Sequence, residues 1–141
     1  MSVMPRAQSD REEVSVRSYT VGELDRGLSV LEAYDDPNDY LKSFRNNPRL
    51  IVDNPNAQKE DLALILALDG QKVVGRLGLF AGRLFYEGEN LRVYWLSEFA
   101  LENAYKTTGL GGMILLKVLA QRVPLLACGA PIEELEKVYE K

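Results

Sequence analysis

The chain contains no histidine, and this absence removes more chemistry than any of its averages. Ser-His-Asp and Cys-His nucleophile systems need an imidazole base, and HExxH zinc sites need imidazole ligands. Cysteine occurs once, at Cys128, with no partner for an internal disulfide and no imidazole to activate it. Its place in the apolar run VPLLACGA suits an inert buried thiol better than a nucleophile. Carboxylates alone can hold magnesium or calcium, but no EF-hand spacing occurs, and no metal is expected. There is no secretory signal pattern and no apolar run long enough to cross a bilayer, so a cytoplasmic protein is expected. The net charge of -4 offers no general attraction to nucleic acid or anionic lipid, and neither is expected as a partner.

What is present is an ordinary globular composition, 46% hydrophobic and 27% charged over 141 residues, which suits one domain. Residues 1–12, MSVMPRAQSDRE, are polar and aperiodic and read as a flexible terminus, leaving 13–141 as the domain. Val14 and Val16 alternate with polar neighbours as in a half-buried strand. Thr20-Val21-Gly22-Glu23 then matches a capping box, with Leu24, Leu28 and Leu31 following on one helical face. Asp35-Asp36-Pro37-Asn38 breaks that helix, and a second short helix carries Tyr40, Leu41 and Phe44. LALILAL and KVVGRLGLF flank Asp69-Gly70, a hairpin signal, and the segment from Arg83 to Asn90 holds the turn chemistry before a fourth strand, LRVYWLSEFAL. An apolar helix follows from about Leu110 to Arg122, then the short strand VPLLACGA. The last segment, PIEELEKVYEK, places Ile132, Leu135, Val138 and Tyr139 on one helical face. The order is βααβββαβα, an α/β fold with a mixed sheet flanked by helices.

The chemistry concentrates in YKTTGLGGMILL, where Gly109, Gly111 and Gly112 open the apolar helix. A strand entering a glycine-rich turn at a helix start is the geometry for phosphate, because unpaired amides converge there and the dipole favours an anion. The dinucleotide pattern GxGxxG would need glycine at Ile114, and no P-loop pattern occurs. A tight turn without a ligand is the plainer alternative.

FALENAYKTTGLGGMILL resembles the central motif of the GNAT superfamily of N-acyltransferases, a strand, a loop of pattern Arg/Gln-x-x-Gly-x-Gly/Ala and a helix. Here the loop is Lys106-Thr107-Thr108-Gly109-Leu110-Gly111, with Lys at the first position. Lys keeps a donor and a charge near phosphate but loses the planar fork of Arg. The resemblance implies that these residues and Gly112 hold the pyrophosphate of acetyl-CoA or another acyl-CoA, and that the backbone of Phe99, Ala100 and Leu101 pairs with the pantetheine arm. It implies acetyl transfer directly to a small-molecule or peptide amine. Tyr139 takes the place of the tyrosine that protonates the departing thiolate. Glu98 is the nearest carboxylate able to deprotonate an ammonium if burial raises its pKa, but strict alternation puts it opposite Phe99 unless the strand bulges.

The family's sixth and seventh strands are not found before the chain ends at Lys141 in mid-helix without a cap, so a longer parent protein or a completing partner, including a homodimer, is expected. A non-catalytic coenzyme A sensor or degenerate partner domain is the alternative function.

Overall fold

A computed structural model describes residues 14–127, Leu28 and Pro48 excepted. The last amphipathic segment, with Tyr139, and Cys128 lie outside the described residues. Strand β1, Val14–Thr20, leads into four short helices: α1 Val21–Asp25, α2 Ser29–Glu32, α3 Lys42–Asn46 and α4 Arg49–Val52. Strands β2 Leu62–Asp69, β3 Lys72–Tyr86 and β4 Glu89–Leu101 follow, then a 3-10 turn Asn103–Tyr105, helix α5 Leu110–Leu119 and β5 Leu125–Ala127. The sheet order is β1-β2-β3-β4-β5, antiparallel up to β4, with β5 parallel to β4. The parallel pair is joined through α5, as parallel neighbours require a crossover connection.

Two cores lie on opposite faces of this sheet. Ile65, Ala67, Tyr94 and Leu96 pack against Leu110, Ile114, Leu115 and Val118 of α5. On the other face Leu64, Leu66 and Leu68 pack against Leu24, Leu31, Leu41 and Phe44 of the helical layer. Strand β2 therefore buries every residue from Leu62 to Leu68, which explains why LALILAL is continuously apolar rather than alternating.

The capping box forms as the sequence indicates: Thr20 Oγ1 accepts from the Glu23 amide, and the Glu23 carboxylate accepts from the Thr20 amide. The expected first helix is nonetheless divided, with Gly27 at φ 141 between α1 and α2. The β2-β3 hairpin turns on Gly70-Gln71 rather than on Asp69-Gly70, because Asp69 still pairs with Lys72. The segment expected to be a long turn before β4 is instead more hairpin. β3 runs on to Tyr86, and Glu87 and Gly88, at φ 49 and 82, form a two-residue loop of the kind that matches strand twist. The apolar helix stops at Leu119, earlier than expected.

One buried polar cluster ties the start of β2 to β4. Asp61 is fully buried; its carboxylate pairs with the Arg92 guanidinium and accepts from the Tyr94 hydroxyl at 3.1 Å and the Gln58 amide at 2.8 Å. A buried carboxylate with three donors is satisfied rather than available for chemistry. Among the described residues, no helix is long and apolar enough to cross a membrane.

Candidate active site at the β4 bulge

The site begins with a break in the register of β4. Arg76 on β3 faces Ala100 and Gly78 faces Ser97, so Glu98 and Phe99 together oppose the single residue Leu77. Two residues against one is a β-bulge, and Glu98 takes φ 48 to make it. Before the bulge Tyr94 and Leu96 point toward α5; after it Phe99 and Leu101 do. The parity of the strand has switched. Phe99 and Leu101 are only partly buried against that core, and beyond Leu96 β4 has no strand on its β5 side among the described residues. Among the described residues its backbone is open there to pairing by an extended ligand.

On the opposite face the bulge borders a cavity of about 430 Å³. Glu98, Phe99 and Ala100 form one wall; Asp39, Lys42 and Arg76 bring the remaining charges, with Tyr40, Ser43 and Asn46 between them. The loop carrying this wall is built by Asp36, whose carboxylate accepts from the amides of Tyr40 at 2.9 Å and Leu41 at 2.8 Å, just ahead of α3. Glu102 ties the loop to the end of β4, accepting from Asn38 Nδ2 at 3.1 Å and lying 3.4 Å from Lys72 Nζ. Burial raises the Tyr40 phenol above its ordinary value, reinforced by the charges of Glu102 and Asp36, so it stays protonated and remains a donor.

Arg76 is the anchor that sequence reading missed. Its side chain is 5% exposed and stacks on the Phe44 ring at 4.9 Å. Nη1 lies 2.8 Å from Glu98 Oε2 and donates to the Tyr40 carbonyl and to Ser43 Oγ, both at 2.9 Å. Ser43 Oγ also donates to Glu98 Oε2 at 3.1 Å. Desolvation lowers the guanidinium pKa, and the charges of Glu98 and Asp36 work against that. The burial expected of Glu98 is not found: its side chain is 59% exposed, held by an ion pair rather than by an apolar pocket. The strand KVVGRLGLF carried one signal for this arrangement, a charged residue between apolar ones followed by glycine. A Cβ on Gly78 would sit 2.7 Å from Arg76 Nη2 and 2.5 Å from Ser97 Oγ. Gly78→Ala is therefore expected to displace Arg76 and to lower stability by about 1–3 kcal/mol, as overpacking does. A denaturation midpoint equal to the parent's would contradict this.

The glycine loop is assembled beside the far end of β4. Lys106, Thr107 and Thr108 are exposed, and Thr108 Oγ1 donates to the Tyr105 carbonyl at 2.6 Å, closing the turn. The Tyr105 hydroxyl donates to Asp69 and fastens the loop to the β2-β3 hairpin. Gly109 caps α5 at φ 80, a left-handed conformation that accounts for glycine there. Leu110 drives its side chain into the core and so fixes the helix start. A Cβ on Gly111 would make ordinary contact with Phe99 at 3.6 Å and Leu101 at 3.7 Å, and one on Gly112 would meet nothing within 4 Å. Among the described residues, neither conformation nor packing accounts for glycine at position 112. The amides of Leu110, Gly111 and Gly112 are those a helix leaves without intrahelical partners, and the residues present fit an anionic group at this end of α5.

No protein-family model matches the sequence, and the comparison with curated proteins finds no match. Solved structures do match. Glucosamine-6-phosphate N-acetyltransferase from Arabidopsis thaliana superposes with a TM-score of 0.55 at 9% identity, covering 90% of this chain and 88% of that one. AAC(6')-Iy in complex with the bisubstrate analog CoA-S-monomethyl-acetylneamine gives 0.54 at 12% identity, covering 90% and 87%. A GNAT family acetyltransferase from Staphylococcus aureus gives 0.52 at 12% identity, covering 84% and 88%. With its parallel β4-β5 pair and its glycine-opened helix, the chain has the fold of the GNAT acetyltransferases.

Proposed function

We propose that the chain is an N-acetyltransferase that moves an acetyl group from acetyl-CoA to an amine without a covalent enzyme intermediate. The observation that carries this reading is the β4 bulge, which sets an open strand edge on one side of Glu98 and Phe99 and a charged cavity on the other. The edge suits the pantetheine arm, and the amides of Leu110, Gly111 and Gly112, with Lys106 nearby in sequence, suit the pyrophosphate. A similar structure holding a CoA bisubstrate analog supports the same cosubstrate.

In the reaction the amine nitrogen attacks the thioester carbonyl; the C–N bond forms and the C–S bond breaks. One proton leaves the acceptor ammonium before attack and a second leaves nitrogen after it, while the departing thiolate takes one up, so amide, free thiol and one proton are the products. Glu98 is the candidate for the first transfer. Both of its contacts fall on Oε2, which leaves Oε1 available. Tyr139 remains the proposed donor to the thiolate. Positioning and backbone polarisation of the carbonyl supply the rest.

Calorimetry with acetyl-CoA, followed by thiol release across an amine panel, tests this directly. Saturable binding and amine-dependent thiol release are expected; no binding would sink the proposal. The engagement of Glu98 by Arg76 and Ser43 favours one second reading, a coenzyme A-binding module without turnover. Binding with no thiol release for any amine would select it.

A further inference from the structure

We infer that the cavity beside Glu98 takes a zwitterionic acceptor, a free amino acid or a small peptide with its carboxylate intact, rather than a polycationic amine. The inference rests on the acetyltransferase reading and names the acceptor of that same site.

The charges of the cavity are balanced. Asp39 and Glu98 contribute two carboxylates, and Lys42 and Arg76 two cations. A site for a polyamine or an amino sugar needs an excess of negative charge, because every desolvated ammonium must find a counterion. Here a second or third ammonium would meet Lys42 and Arg76 instead. A molecule carrying one charge of each sign matches both pairs.

The hydrogen-bonding capacity left over has the same polarity. Arg76 spends a single terminal nitrogen, Nη1, on Glu98, the Tyr40 carbonyl and Ser43. Nη2 enters none of these contacts, and Nε is buried without a hydrogen-bond partner. The Arg76 guanidinium, 5% exposed, therefore brings positive charge to the cavity wall, with Nη2 lying over Gly78 and Ser97. Lys42, exposed on the first turn of α3, supplies a second cation. On the acidic side Glu98 Oε1 can receive the ammonium next to the open edge of β4, where the amine must meet the thioester. At about 430 Å³ the cavity accommodates an amino acid or dipeptide.

The test uses matched pairs, each an amino acid and its primary amide, which differ in the carboxylate alone. Each is titrated calorimetrically into the protein saturated with coenzyme A, and each is assayed for thiol release with acetyl-CoA. The acids are expected to bind about tenfold more tightly than their amides, with the same preference in kcat/KM. Lys42→Ala should lower that ratio severalfold, leaving the part that Arg76 supplies. Spermidine should bind more weakly than the amino acids. Equal affinity for acid and amide, or tighter binding of spermidine, in a protein that binds acetyl-CoA would overturn this inference and leave the acetyltransferase reading standing. Failure to bind acetyl-CoA would overturn both.

Discussion

Gly111→Trp is expected to weaken acetyl-CoA binding by about a hundredfold or more, a loss of about 2.7 kcal/mol. An indole at the second position of α5 would start beside Phe99 and Leu101 and crowd a ligand lying between the end of β4 and the amides of Leu110, Gly111 and Gly112. The companion Gly111→Ala separates this from a folding defect. A methyl group there makes ordinary contact with Phe99 at 3.6 Å and Leu101 at 3.7 Å. Replacing a helical glycine by alanine also favours the helix by about 0.5–1 kcal/mol. The alanine variant should therefore melt at or above the parent temperature while the tryptophan variant, confirmed as folded by circular dichroism, fails to bind. Unaltered affinity in the folded tryptophan variant would remove the phosphate assignment.

Glu98→Gln is expected to lower kcat by about a hundredfold or more, the usual worth of a positioned base. Glutamine keeps an acceptor for Arg76 Nη1 and Ser43 Oγ, so the wall of the cavity should persist. What it cannot do is remove a proton. Acetyl-CoA affinity should stay within about twofold, since Glu98 lies on the acceptor side of the strand. An unchanged kcat would assign Glu98 to the ion pair with Arg76 alone.

Much of the frame could be read from local signals. The capping box at Thr20 and Glu23 depends on four consecutive residues and forms as read. The helix opening at Gly109 depends on a glycine that must adopt positive φ, and it too is local. The bulge is different. Nothing in WLSEFAL marks it, because neither glycine nor proline stands at Glu98, and the extra residue is defined by register against β3. Arg76 was hidden for the same reason: in GRLGL it looks like the outward member of an alternating strand, and only the tertiary fold shows α3 covering it. The full length of β3 is hard to read because Arg83, Glu87, Gly88 and Asn90 resemble a long polar loop, whereas Glu87 and Gly88 form a tight turn and Arg83 and Asn90 pair across the ribbon with Arg92 and Phe85.

The left-handed backbone at Glu98, and at Asp39 across the cavity with φ 55, carries a further consequence. A non-glycine residue held in that region costs the folded state on the order of 1 kcal/mol or more, and such residues persist where the surroundings over-determine them. Both carboxylates of the cavity are therefore presented at the expense of conformational ease. Selection for thermal stability alone would drift these two positions toward glycine or asparagine, so a laboratory-evolved heat-resistant form of this chain would relax first in the carboxylates that line its cavity.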